Sequence, residues 1–207
     1  MGQETITRFC TLLLLLAGLV ANVLVLRPSS GEDSKTRNKS ANIWAAVVCF
    51  VAAFAYIELQ GHFCGIPMND VRHADWLITC PLLLLEMGAL LNVSAQNKRI
   101  QCAIAASALM VLVGWAEAPS PLQLLCGFAL LGVITWQLIA LAKNQKDKSK
   151  QRIVIVFFSL WFLYGFVAMA VTWASLNSDV SGTMYNILDG ASKGIFGLCV
   201  AYMALAA

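Results

Sequence analysis

The amino-acid sequence predicts an all-α membrane protein that folds as a bundle of seven transmembrane helices. Of its 207 residues, 59% are hydrophobic and only 12% are charged, and the mean hydropathy is +0.74. Apolar runs of about 20 residues, the length that crosses a hydrocarbon core about 30 Å thick, recur between short polar breaks. A spanning segment must pair its own backbone groups, which favours helix, and the alternation of a barrel strand is absent. Residues 1–207 are predicted to form one domain.

Seven segments are predicted to span the membrane. They are residues 9–26, 41–59, 71–91, 100–115, 122–142, 153–174 and 184–206. The first run continues into Arg27 and a polar loop, 28–40, so we interpret it as a retained span and not as a cleaved signal peptide. Six of the seven cysteines fall in apolar segments without the spacing of metal ligands, and are predicted to be small core residues.

The positions of lysine and arginine predict the orientation. The loops after spans one, three and five hold eleven of the fourteen Lys and Arg residues. By the positive-inside rule the N-terminus is extracellular and the C-terminus cytoplasmic. The triplets at Asn38 and Asn92 that look like glycosylation sites then lie in the cytoplasm and are interpreted as chance matches. The net charge of +3 serves orientation and indicates no nucleic-acid partner.

Two spans carry charges at membrane depth. Asp189 and Lys193 lie one turn apart in span seven. A lysine at membrane depth makes insertion of the helix less favourable by roughly 2.5–3.5 kcal/mol, which marks Lys193 as a functional candidate. In span three, the polar residues fall on one helical face: Arg72, Asp75, Thr79 and Glu86. Arg72, Asp75, Asp189 and Lys193 sum to zero charge, as a dry interior requires. A snorkelling Arg72 and a Glu86 solvated by headgroups remain alternatives.

A buried lysine offers nucleophilic chemistry. Its amine condenses with an aldehyde to form a Schiff base, and the protonated nitrogen then needs a carboxylate nearby. Asp75 and Asp189 are available for this role. Aromatic residues on other spans are candidate walls of a pocket for a linear apolar ligand, although core packing explains them equally: Tyr56, Trp76, Trp161 and Tyr164.

These motifs resemble those of the microbial (type 1) rhodopsins. The run RHADWLITCPLLLLE from Arg72 to Glu86 is similar to their third helix, and DGASK from Asp189 to Lys193 is similar to the retinal-binding motif of their seventh. Trp161-Phe-Leu-Tyr164 resembles the sixth-helix pair beside retinal, and Met110 with Gly114 resembles fourth-helix positions near its ring. The resemblance implies all-trans-retinal at the centre of the bundle, bound covalently to Lys193 as a protonated Schiff base.

The resemblance also implies a role for each polar residue of span three and for Asp189. Asp75 is the expected counter-ion and proton acceptor, and Asp189 is the second counter-ion, with Arg72 below them. Thr79 is expected to support Asp75 by a hydrogen bond, and Glu86, held protonated by burial, to reprotonate the Schiff base from the cytoplasm. The combination of Asp75, Thr79 and Glu86 resembles that of outward proton pumps of the proteorhodopsin type. The short chain with minimal loops is similar to viral members of the family.

Other positions bear on colour and on pocket shape. Leu83 implies green rather than blue absorption, while Ser192 beside the lysine implies some shift toward blue. Gly165 and Ala168 stand where many relatives have a proline and a tryptophan, so we expect a looser pocket on that side.

Three polar residues near the outer end depart from the family pattern. Asp179 is the one acid in the last outer loop, which makes a paired proton-release group doubtful. Glu58 and His73 either tune Asp75 or are solvated, and we favour solvation.

The leading functional hypothesis is a light-driven outward proton pump, not an enzyme. The alternatives are a light-gated cation channel and a photosensory rhodopsin, whereas a chloride pump is disfavoured because Asp75 occupies the anion position. The expected partners are the lipid bilayer, protons and further copies in a trimer or pentamer. The expected location is a plasma membrane or host-cell membrane.

Overall fold

Helices make up the regular structure of the residues that the structure describes. The computed structural model describes residues 2–26, 39–115, 120–145 and 147–206. Arg27, Lys35, Arg37, Asn38 and Lys146, and with them most of the predicted loop 28–40, lie outside the described residues. The helices are α1 (Gln3–Leu26), α2 (Lys39–Gly61), α3 (Met68–Leu90), α4 (Lys98–Gly114), α5 (Pro121–Ala142), α6 (Lys148–Ala174), α7 (Ser178–Asp189) and α8 (Phe196–Ala206).

The last two helices form one continuous rod. A π-helical segment, Gly190–Ile195, joins α7 directly to α8, and we call the three together helix seven. Counted in this way, the described residues form seven helices, which confirms the predicted fold class. Successive helices pack side by side, and helix seven packs against α1, α2 and α6, so the bundle closes into a ring around a central site.

Each of the seven described helices begins earlier than the apolar pattern predicts, and three of them begin five or six residues earlier. We predicted starts at residues 9, 153 and 184, whereas α1, α6 and α7 begin at Gln3, Lys148 and Ser178. The side chains of Asp147 and Asn177 accept hydrogen bonds from backbone N–H groups in the first turns of α6 and α7. Because caps of this kind stabilise polar first turns, hydropathy marks the membrane core of a helix and not its ends.

Five described helices are long and apolar enough to cross a membrane by themselves: Gln3–Leu26, Lys39–Gly61, Pro121–Ala142, Lys148–Ala174 and Ser178–Leu205. The other two described helices are α3, which carries several charged residues, and α4, which has 17 residues.

Glycines bring α1 close to the π-helical segment. A methyl group added at Gly18 would lie 2.9 Å from Sγ of Cys49 and 3.1 Å from the carbonyl oxygen of Gly194. One added at Gly194 would lie 2.9 Å from Cβ of Leu14. Small residues permit such close approach between membrane helices. The thiol of Cys49 also reaches the carbonyl oxygen of Lys193 at 3.7 Å, so α1 and α2 together hold the segment that carries the lysine.

The cysteine prediction is largely wrong. Cys49 is buried and Cys80 half-buried, whereas the others are exposed on the surface of the bundle: Cys10, Cys64, Cys102, Cys126 and Cys199. The lipid-facing surface of a membrane helix is as apolar as its core, so hydropathy does not distinguish the two environments.

Candidate functional site

Lys193 lies between two carboxylates in the interior of the bundle. Its Nζ atom is 2.5 Å from Oδ2 of Asp75 on α3 and 3.0 Å from Oδ1 of Asp189 on helix seven. The side chains of Lys193, Asp75 and Asp189 are each no more than 2% exposed. The structure thus brings together three of the four charged residues that the sequence analysis grouped. One cation facing two anions forms a stable buried site only if further donors serve the second carboxylate.

Asp189 receives those donors from three other helices. The hydroxyl of Tyr56 donates to Oδ2 at 3.0 Å, the hydroxyl of Tyr164 to Oδ1 at 2.8 Å, and the indole N–H of Trp76 to Oδ1 at 3.2 Å. The Tyr164 hydroxyl is also 2.9 Å from Oγ of Ser192. Both oxygens of Asp189 are therefore occupied by donors, which fix its position beside the lysine.

Asp75 is held differently. Its Oδ2 meets Lys193, while its Oδ1 is buried and has no hydrogen-bond partner among the described residues. The hydroxyl of Thr79 donates to the main-chain carbonyl of Asp75, one turn earlier, at 2.8 Å. Asp75 therefore keeps one oxygen free.

Arg72 pairs with a residue that the sequence reasoning overlooked. Its Nη2 contacts Oε1 of Glu4 at 3.3 Å, the carbonyl of Gly182 at 3.3 Å and Oδ1 of Asn186 at 2.9 Å. Glu4 also accepts from Nη2 of Arg8 at 2.8 Å. The grouping of Arg72 with Asp75, Asp189 and Lys193 is thereby revised. Glu4 lies in the polar start that we left outside the first span, where its spacing of four residues from Arg8 was the available signal.

Asn186 connects the two charged groups. Its Oδ1 accepts from Arg72 at 2.9 Å, and it shares the single hydroxyl hydrogen of Tyr56, at 3.2 Å, with Oδ2 of Asp189. A continuous hydrogen-bonded chain therefore runs from Asp189 through Tyr56, Asn186 and Arg72 to Glu4. We predicted Tyr56 as a wall of the pocket, but the structure places it in this chain instead. Asn186, an amide at membrane depth three residues before Asp189, was the unused signal in the sequence.

A cavity of about 530 Å³ borders Lys193. It is lined by eight residues that we predicted to contact a cofactor: Trp76, Leu83, Met110, Gly114, Trp161, Tyr164, Ser192 and Lys193. The volume lies in the range of small-molecule sites, and an apolar lining with a few polar groups is typical of them. A long apolar aldehyde fits this donor set, because the amine is the reactive group and rings form the walls. The lining continues to Glu4 and Arg72, so the cavity extends toward that end of the bundle.

The wall near Gly165 is closed, although we expected it to be loose. A methyl group on Gly165 would lie 2.7 Å from Cε1 of Phe128, which means that the Phe128 ring on α5 packs directly against the glycine. Ala168 lines the cavity beside it. The aromatic bulk that the sixth helix lacks is supplied by the fifth.

Glu86 is a buried carboxyl on the other half of α3. It is 1% exposed, and its Oε1 has no hydrogen-bond partner within the described part of the chain. Its neighbours on α3, Leu83, Leu84 and Met87, belong to the main apolar cluster. The alternative of a carboxylate solvated at the membrane surface does not agree with this burial.

Glu58 and His73 are buried as well, against the interpretation that we favoured. The Glu58 carboxylate accepts the backbone N–H of Cys64 at 2.8 Å and so fixes the loop after α2. His73 lies 2.8 Å through Nδ1 from the carbonyl of Asn69, and its ring stacks on Trp115 with centroids 5.6 Å apart. Side chains near helix ends fold back onto local backbone and rings here, and neither residue has a described contact with Asp75.

A seven-helix membrane bundle with a buried lysine between two carboxylates, beside an apolar cavity, defines the class of the microbial rhodopsins. The sequence model of the bacteriorhodopsin-like protein family matches residues 5–207, and the chain belongs to this family. Its members bind retinal, and the protein is an integral membrane protein.

Solved structures of the same fold come from diverse sources. The proton pumping rhodopsin AR2 from the marine alga Acetabularia acetabulum shares 23% identity at a TM-score of 0.80, covering 100% of this chain and 96% of that one. Viral rhodopsin OLPVRII shares 21% identity at a TM-score of 0.80, covering 98% of each chain. The transmembrane domain of Salpingoeca rosetta rhodopsin phosphodiesterase shares 16% identity at a TM-score of 0.78, covering 99% of this chain and 85% of that one. At these identities the similarity shows the fold alone. Curated protein sequences give no match.

Proposed function

We propose that the protein is a light-driven outward proton pump, formed by one domain over residues 1–207, with all-trans-retinal bound covalently to Lys193. The observation that carries the proposal is the position of the Lys193 nitrogen, 2.5 Å from Asp75 and 3.0 Å from Asp189, with none of the three side chains more than 2% exposed. When bound, retinal supplies an isomerisation driven by light that changes the surroundings of this nitrogen.

Asp75 is the proposed acceptor of the proton from the Lys193 nitrogen. Its Oδ2 is already in hydrogen-bond contact with Nζ, so the transfer needs no intervening group. Its Oδ1 has no described partner, which leaves room for a second bond once the carboxyl is neutral. Asp189, held by three donors, keeps its place as the second counter-ion, and Thr79 fixes the turn that carries Asp75.

Glu86 is the proposed proton donor that reprotonates the Lys193 nitrogen. It lies eleven residues after Asp75 on α3, about 16 Å along the helix axis, in the half of the bundle opposite Arg72. An acid surrounded by apolar side chains keeps its proton until the interior opens to it. With the N-terminus outside, as the basic loops predict, Glu86 faces the cytoplasm and Arg72 faces outward, so the net transfer is outward.

The cavity residues are proposed to hold and orient the chromophore. Trp76 and Trp161 provide aromatic walls, Met110 and Gly114 line the side formed by α4, and Leu83 with Ser192 tune the colour. We further propose a trimer or pentamer in a plasma membrane or host-cell membrane.

The pump is preferred to a cation channel because Glu86 is embedded in the main apolar cluster, which offers no wide path for hydrated cations. The test is to illuminate cells expressing the protein in unbuffered medium. Acidification that a protonophore abolishes supports the pump, and a current that reverses with voltage supports the channel instead. The variant Lys193→Ala should be colourless and should give neither acidification nor current. A coloured protein with neither response would favour a photosensor.

A further inference from the structure

Arg72 points away from the site to which it is closest in sequence. It lies one turn before Asp75 on α3, yet its Nη2 is held by Glu4, Gly182 and Asn186, on α1 and α7. The direction of the guanidinium is therefore set by groups outside its own helix. Glu4 is the only one of the three acceptors that carries a charge.

The carboxylate of Glu4 is held in place by contacts with several helices. Its Oε1 receives Nη2 of Arg8 at 2.8 Å, and Arg8 is itself tied to the carbonyl of Leu59 by Nη1 at 2.7 Å. On the other side it packs on the backbone of Gly182, where a methyl group would overlap Oε1. The Glu4 side chain is 12% exposed. Three helices thus fix this carboxylate, and a glycine makes the close contact possible.

A released Arg72 would find an acceptor at Asp75. The Nε atom of Arg72 and the Oδ1 atom of Asp75 are both buried, and neither has a hydrogen-bond partner in the described part of the chain. The two residues are three apart on α3 and so lie on the same helical face. Around Asp75 the charged groups are Lys193 and Asp189, and around Glu4 they are Arg8 and Arg72.

We propose that Glu4 is a positioning residue for proton transfer to Asp75: its carboxylate holds Arg72 toward α1 and α7, away from Asp75 and Asp189. The inference deepens the proposed function and depends on it. With Arg72 held outward, Asp75 and Asp189 both pair with the Lys193 nitrogen. Asp75 then accepts its proton without a second cation that would stabilise its charged form. Without Glu4, Arg72 turns to Asp75 and opposes its protonation.

The test is the variant Glu4→Gln, which keeps shape and removes charge. The resting absorption maximum is expected to move to longer wavelength, because Arg72 near Asp75 weakens the field of the carboxylates at the Lys193 nitrogen. Proton transfer to Asp75, followed by flash absorption, is expected to slow about tenfold. Glu4→Asp retains the charge and should restore both values. The matched control Asp179→Asn removes the same charge from an exposed site in the first turn of α7 and should change neither.

The inference is overturned if Glu4→Gln keeps the absorption maximum and transfer rate of the unmodified protein, even when its heat stability falls. Should that variant fail to fold, Gly182→Ala displaces the same carboxylate and must give the same two changes; normal values there also overturn it. A coloured unmodified protein that does not pump contradicts the proposed function alone, since the absorption maximum is read without transport.

Discussion

Asp75→Asn and Asp189→Asn remove the same charge from the same lysine, yet we expect them to differ in stability. At an effective dielectric constant of about 20, unit charges separated by 2.5 and 3.0 Å attract by about 7 and about 6 kcal/mol. The two losses are similar, so the difference depends on the hydrogen bonds of each carboxylate.

The hydrogen bonds distinguish the two positions. In Asp75→Asn the amide oxygen faces Lys193, and the NH₂ group occupies the place of Oδ1, which has no described partner. In Asp189→Asn the favoured orientation turns the NH₂ group toward Tyr56, whose hydroxyl then accepts from it and donates to Asn186, because the other orientation sets the NH₂ group against Lys193 and the indole N–H of Trp76. The hydrogen bonds from Tyr164 and Trp76 then end on a neutral amide oxygen, and a hydrogen bond to a charged group contributes about 1.5–3 kcal/mol. For a chain of this length its loss lowers the melting temperature by a further 3–12 °C, roughly.

The assay is loss of visible absorption on heating, for both variants and the unmodified protein in the same detergent. We expect Asp189→Asn to bleach at the lower temperature of the two. If Asp75→Asn bleaches at the same temperature or below it, the three donors to Asp189 do not have the structural role assigned to them. A second comparison uses Tyr164→Phe, which removes one donor without touching charge and should cost less stability in the Asp189→Asn background than in the unmodified protein.

Two further predictions concern Glu86 and Gly165. Glu86→Gln should slow recovery of the resting absorption by about a hundredfold or more, because an amide gives up no proton, and added azide should restore it; an unchanged cycle removes the donor role. Gly165→Ala places a methyl group 2.7 Å from Phe128 and should cost about 1–3 kcal/mol in thermal stability by overpacking. Adding Phe128→Leu should recover that loss, and additive defects in the double variant would contradict direct contact.

The sequence predicts the membrane part of the fold well because apolar length is imposed by the bilayer itself. Helix starts such as Gln3 and Ser178 were missed, since polar first turns depend on caps and solvent and not on hydropathy. The π-helical segment from Gly190 to Ile195 has no signature in composition. Gly18 of α1 packs closely against this segment, a tertiary contact that composition does not reveal.

For the site, charge in an apolar setting was sufficient to single out Lys193, Asp75 and Asp189, because burial of charge demands partners. The same rule failed for Glu4, since a residue near the terminus gives no sign of being buried. Tyr56 was recognised as relevant but assigned to the cavity, because spacing alone does not tell which side of Asp189 a hydroxyl approaches.

The distribution of charge between helices bears on how the chain enters a bilayer during synthesis. Helix seven contains both Asp189 and Lys193, so its charges already meet within one segment. In α3, by contrast, Arg72 pairs with Glu4 of the earlier α1, whereas Asp75 meets its cation only on helix seven, and an uncompensated charge opposes insertion by about 2.5–3.5 kcal/mol. The third segment to be translated therefore reaches its stable place only when the last one has arrived.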